Sequence, residues 1–225
     1  MISLARRCVA EALGTFAFIF IGCGAAVTSI LPGGSPGLMG IALAHALVLS
    51  VMITATMNIS GGHLNPAVTL GLLSVRRIAP IDAAAYVGSQ LVGAVFGAFL
   101  LSRIFPPGVI SAVTLGTPSL ATGMSLASGI ALEAVLTFFL VSAVFGTAIS
   151  ANAPKVGGFA IGLVLCFDML VGGPLTGAAM NPARAFGPAL ISGTWYAQLV
   201  WWVGPIVGGI LAAQLWHHVL LNREP

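Results

Sequence analysis

Two stretches decide the reading: SGGHLNPAVTLGLLS at 60–74 and TGAAMNPARAFGPALIS at 176–192. Each is apolar enough to enter a bilayer, yet a helix needs about 20 apolar residues to cross one. Both therefore read as re-entrant segments. Non-helical backbone at membrane depth persists only where protein or a water-filled cavity satisfies its amides and carbonyls. Two such segments imply a polar lumen.

Each stretch carries Asn-Pro-Ala, as Asn65-Pro66-Ala67 and Asn181-Pro182-Ala183. Asn is a favoured N-cap, and Pro suits the first helical position because its missing N–H is not needed there. Each tripeptide thus starts a half-helix whose cap can bond its own helix through oxygen and offer NH2 to the lumen. Two helix N-termini would aim about half a positive charge each at the midpoint. At about 5 Å and an effective dielectric of about 20, they cost a hydronium roughly 3 kcal/mol. Neutral solutes escape nearly all of that. The preceding extended residues, Gly61, Gly62, His63 and Leu64, and Gly177, Ala179 and Met180, offer carbonyls as pore-lining acceptors.

The rest of the chain supplies the membrane frame. Of its 225 residues, 58% are hydrophobic and 6% charged, with a mean hydropathy of +1.08. That composition excludes a water-soluble globule. Six segments read as spans: 9–31, 38–58, 82–104, 125–150, 156–173 and 195–220. The expected fold is an all-α membrane protein of six transmembrane helices plus two re-entrant half-helices. Arg6, Arg7, Arg76, Arg77, Lys155 and Arg223 fall on one side of this arrangement and only Arg103 near the other. The positive-inside bias then places both termini in the cytoplasm, with the cell membrane as the expected location. A net charge of +3 is too sparse for nucleic acid. Cys8, Cys23 and Cys166 lack metal-ligand or CxxC spacing and read as structural thiols, so no metal or cofactor is expected.

The halves repeat. Asn65-Pro66-Ala67 recurs at an offset of 116, as do Val87-Gly88 and Gly93, matched by Val203-Gly204 and Gly209. Glu11-Ala12 matches Glu133-Ala134 at an offset of 122, which places six extra residues in the first half, around the loop from Pro32 to Pro36. Three spans per repeat is an odd number, so the second repeat is inverted in the membrane. One channel domain of two repeats, 1–112 and 113–225, follows.

These residues resemble those of the aquaporins, the major intrinsic proteins: HLNPAVT, MNPARAFGPA, the two half-repeat glutamates and the terminal WVGP. The resemblance covers essentially the whole chain. It implies one pore per subunit, a homotetramer in the lipid bilayer, and Glu11 and Glu133 as braces of the re-entrant loops. It also implies a four-residue selectivity filter, located by spacing from the two asparagines: His45, Met169, Ala178 and Arg184. Histidine with an unbranched apolar partner resembles the tonoplast intrinsic proteins and the ammonia-permeable aquaporins. The expected function is passive conduction of water and small neutral solutes, ammonia and hydrogen peroxide among them, with His45 and Arg184 as donors and Met169 as the apolar wall.

A glycerol or urea facilitator is the alternative. Such channels follow the second Asn-Pro-Ala-Arg with Asp, whereas this chain has Ala185. An ion-coupled transporter would carry paired span acids, and the acids here are far apart in sequence. No Ser/His or HExxH arrangement suggests an enzyme. His63 reads as a loop brace, the GxxxG glycines Gly93, Gly97, Gly204 and Gly208 as packing positions, and Asp168 as an acid near the outer interface, reaching water or a cation.

Overall fold

A computed structural model describes residues 2–34 and 37–221. Arg223, and Ser35 and Pro36 of the first loop, lie outside the described residues. Six helices are long and apolar enough to cross a membrane: α1 (Leu4–Thr28), α2 (Gly37–Ser60), α4 (Pro80–Ile104), α6 (Leu126–Val144), α7 (Phe159–Thr176) and α9 (Leu199–Leu215). Single π-helical turns at Phe145–Ile149 and Trp216–Leu220 extend α6 and α9. Between the spans lie the half-helices α3 (Pro66–Ser74) and α8 (Pro182–Ser192), and a short α5 (Pro107–Ala112) follows α4.

The first helix starts five residues before the apolar run does. Ser3 caps it, its Oγ accepting from the Arg6 amide at 3.4 Å. Arg7 then lies inside the helix, where its Nη1 donates to Asp82 Oδ2 at 2.9 Å and its guanidinium stands 5.9 Å from the Tyr86 ring centroid.

Contacts between elements follow the inverted repeat. α1 packs on α4 and α2, and α6 on α9 and α7. Each half-helix docks against the last span of the other repeat, α3 on α9 and α8 on α4, so neither repeat closes its half of the structure alone.

Glycines set the two tightest crossings. A Cβ on Gly93 would strike the Ala12 carbonyl, and one on Gly208 the Ala134 carbonyl. Likewise Gly71 lies on the Gly209 carbonyl and Gly187 on that of Ala94. These pairs correct the register read from sequence. Ala12 and Ala134 are equivalent at an offset of 122, which makes Gly93 the counterpart of Gly208 rather than Gly209. The last spans therefore match at an offset of 115 and the half-helices at 116, so one residue fewer separates equivalent positions of α8 and α9 than of α3 and α4. The six extra residues of the first half are also relocated. α2 has 24 residues and α7 has 18, while both end at equivalent positions, Ser60 and Thr176. The insertion lengthens a helix, not a loop.

Gly208→Ala is expected to destabilise the detergent-solubilised protein by about 1–3 kcal/mol through overpacking against α6. Gly88→Ala, with nothing within 4 Å of the added carbon, should leave stability unchanged or raise it by up to about 1 kcal/mol through helix propensity. Thermal unfolding followed by circular dichroism would check the pair, and equal effects would refute this account of the crossings.

Candidate functional site

The site is built around two buried carboxylates. Glu11 Oε1 accepts from Ser60 Oγ at 2.6 Å and from the His63 amide at 3.0 Å, and its Oε2 from the Leu64 amide at 2.6 Å and Gln90 Nε2 at 2.8 Å. Glu133 repeats the pattern: Oε1 accepts from Thr176 Oγ1 at 2.7 Å and the Ala179 amide at 3.0 Å, and Oε2 from the Met180 amide at 2.7 Å. Tyr86 and Trp201 complete the symmetry by donating to the carbonyls of Ser60 and Thr176, at 2.8 and 2.9 Å. Gln90 has no counterpart in the second repeat, because the equivalent position is Pro205.

These bonds hold backbone that would not persist alone. Leu64 and Met180 both have φ of 50°, and Ala178 has φ of 43°. Left-handed conformations cost a side-chain-bearing residue about 1–3 kcal/mol each. The strain turns the chain so that each asparagine starts its half-helix. Asn65 Oδ1 accepts from the Ala67 amide at 2.8 Å, and Asn181 Oδ1 from those of Ala183 and Arg184 at 3.0 and 3.3 Å. Pro66 and Pro182 occupy the first helical position in both.

The two half-helices are then tied to each other. Asn65 Nδ2 donates to the Met180 carbonyl at 2.8 Å, and Asn181 Nδ2 to the Leu64 carbonyl at 3.0 Å. Each amide uses one hydrogen in this exchange and keeps one. Both asparagines line a cavity of about 20 Å³, together with Gly62, His63, Phe18 and Leu165. A space of that size holds one water.

From this centre the site opens in two directions. Gly62 and His63 also border a cavity of about 620 Å³ that reaches Gly61 and Arg77. On the far side Met169, Gly177 and Arg184 line a cavity of about 300 Å³. Arg184 is pinned there, its Nη1 donating 2.7 Å to the Gly116 carbonyl. Sequence reading missed Gly116. It follows Thr114 and Leu115, all three with positive φ, and only the folded chain brings this loop over α8. Cys23 lies behind it, its Sγ 3.9 Å from the same carbonyl.

His45 and Ala178 are buried, with 1% and 2% exposure. His45 Nδ1 is 2.9 Å from the Ile41 carbonyl. A carbonyl can only accept, so Nδ1 carries the hydrogen, and Nε2 of the neutral ring is a lone-pair acceptor. This reverses the donor role read from sequence. Nε2 of His45 and Nε of Arg184 are both buried without a protein partner. One acceptor and one donor are thus left without a protein partner.

Asp168 is also corrected. It is 2% exposed, on the face of α7 shared with Leu165 and Gly172, and its Oδ2 has no protein partner. α7 continues to Thr176, which places Asp168 two turns inside the helix instead of at the outer interface. His63 Nδ1 lies 3.1 Å from Thr69 Oγ1 and its ring is edge-on to Tyr86, while the residue also borders both inner cavities.

Six spans enclosing two capped half-helices that meet tip to tip define a membrane protein of the channel type with inverted repeats. Residues 1–216 match the family described as Major intrinsic protein, and the chain belongs to that family. It is 43% identical over 228 residues to "Aquaporin TIP4-4" of Zea mays, covering 97% of this chain and 88% of that one. "Probable aquaporin TIP3-2" of Arabidopsis thaliana is 41% identical over 240 residues, covering 98% and 86%. Among solved structures, the X-ray structure of the aquaglyceroporin from Plasmodium falciparum superposes with a TM-score of 0.86 at 26% identity, covering 97% of each chain.

Glu133→Ala would leave the Ala179 and Met180 amides buried without an acceptor, at about 1–3 kcal/mol each, and Thr176 Oγ1 with only its long bond to the Gly172 carbonyl at 3.4 Å. The expected outcome is a drop of many degrees in the thermal midpoint in detergent, with Glu133→Gln, which keeps one acceptor, falling in between.

Proposed function

We propose that this chain is a passive channel for water that also conducts ammonia and hydrogen peroxide while excluding protons and ions. The observation that carries the reading is the pair of asparagine amides, each with one free hydrogen, at a one-water cavity between two helix N-termini. A water there accepts from both amides and has no lone pair left for its neighbours. A proton hopping along the file would need that lone pair, so the wire is interrupted at the point where the helix dipoles are most repulsive to cations.

His45, Met169, Ala178 and Arg184 act as the filter, and Gly61, Gly62, His63, Leu64, Gly177, Ala179 and Met180 as carbonyl lining. Support comes from the unpaired donor on Arg184 and the unpaired acceptor on His45. Ammonia presents three N–H donors and one lone pair, so it satisfies both. Ala185 following Arg184 supports the water and ammonia reading over a glycerol one. The remaining assignments are a single domain of two repeats, 1–112 and 113–225, with cytoplasmic termini, assembled as a homotetramer and acting as a channel rather than an enzyme. Orientation is supported by the arginines at 6, 7, 76 and 77.

Stopped-flow swelling of proteoliposomes tests the core claim: water permeability is expected well above that of empty vesicles, and parity would end it. In the same vesicles His45→Phe should lower the ratio of ammonia to water permeability by about tenfold, about 1.4 kcal/mol of barrier, because it removes the acceptor. Arg184→Val is expected to keep water flow and to admit larger solutes or cations, and unchanged selectivity would remove Arg184 from the filter.

A further inference from the structure

α1 presents Gly14, Phe18 and Gly22 on successive turns of one buried face. Phe18 walls the central cavity. The glycines on either side are notches that receive parts of the site. A Cβ on Gly14 would strike the Leu64 side chain, and one on Gly22 would stand 2.5 Å from both Cδ2 and Nε2 of His45. Gly24, two residues on, meets only Leu101 Cδ2 at 3.4 Å, so close approach to the filter is not general along this helix.

The imidazole has little other freedom. Nδ1–H is bonded to the Ile41 carbonyl at 2.9 Å, and the Phe18 ring stands edge-on with centroids 5.6 Å apart. A relaxed contact between heavy atoms lies at about 3.5–4.0 Å. A methyl group at position 22 would therefore displace the ring by about 1 Å, away from α1. We propose that Gly22 is a positioning residue of the filter: by having no side chain it sets how deeply the His45 ring is seated and where the open acceptor Nε2 lies. The inference rests on the proposed filter role of His45.

Wild type, Gly22→Ala, His45→Ala and the double variant would be reconstituted separately in proteoliposomes. Water permeability is read by stopped-flow light scattering and ammonia permeability by an entrapped pH dye. With His45 present, Gly22→Ala is expected to lower ammonia permeability by about tenfold and to lower its ratio to water. In the His45→Ala background the same change should move neither by more than about twofold, the scatter of independent sites. Equal losses in both backgrounds, or no loss with the ring present, would overturn the proposal. If Gly22→Ala fails to fold, recovery of the folded protein on adding His45→Ala supports the collision, and continued failure refutes it. A ratio unmoved by His45→Ala alone sinks the filter reading, whereas loss of coupling with an altered ratio sinks only the role of Gly22.

Discussion

Backbone that leaves the helix at the middle of a bilayer has no water to bond, and in this protein two buried carboxylates answer for it. Glu11 and Glu133 are fully buried, a placement that costs an isolated charge several kcal/mol. Four donors converge on the first and three on the second. Such charge-assisted bonds are roughly twice as strong as neutral ones, which lets them offset both the desolvation and the left-handed strain at Leu64, Ala178 and Met180. The chain can then turn inward, cap a helix and turn out again within one leaflet. Without that anchor the asparagines would have no fixed height in the membrane, and the exchange of bonds between Asn65 and Met180, and between Asn181 and Leu64, would not close.

Much of this was legible because it is local. A span announces itself by some 20 apolar residues, and all six were placed to within a few residues of their ends. Asn-Pro-Ala declares a capped helix start through the chemistry of its own three residues, and the duplicated motif with its paired glutamates implied an inverted repeat before any coordinates. The half-helices were recognisable because they were too short to do anything else.

What stayed hidden depends on partners distant in sequence or on shifts of a single residue. Glycines recur so often in the last span of each repeat that offsets of 115 and 116 both yield matches, and only the collision partners Ala12 and Ala134 choose between them. An insertion inside a helix is indistinguishable from one in a loop when both are apolar. The Gly116 carbonyl carries no side-chain signal, and its role exists only once the loop lies over Arg184. For His45 the spacing from Asn65 indicated a place, while its tautomer is set by a carbonyl one turn earlier, a bond common to many helical histidines. The burial of Asp168 follows from where α7 ends, which hydropathy alone set three residues too early.

Equivalence between the repeats gives the two sides of the midpoint different characters. At the offset of 116 that relates the half-helices, the mates of His45, Met169, Ala178 and Arg184 are Ile161, Ile53, Gly62 and Val68. All four mates border both the central cavity and the wide cavity toward Arg77. The same backbone frame therefore carries His45 and Arg184 on one side of the asparagines and only apolar residues at the matching positions on the other. Under the proposed function, a solute leaving the side of His45 and Arg184 meets the two amides and then these four apolar positions, before the wider cavity that reaches Asn58 and Arg77. An ion passing those four positions would find no compensating charge among them, whereas a neutral molecule of the size of water loses only part of its hydrogen bonds. In that reading charge discrimination is distributed along the path: Arg184 and the helix dipoles repel cations, and the aliphatic mates of the proposed filter disfavour ions of either sign.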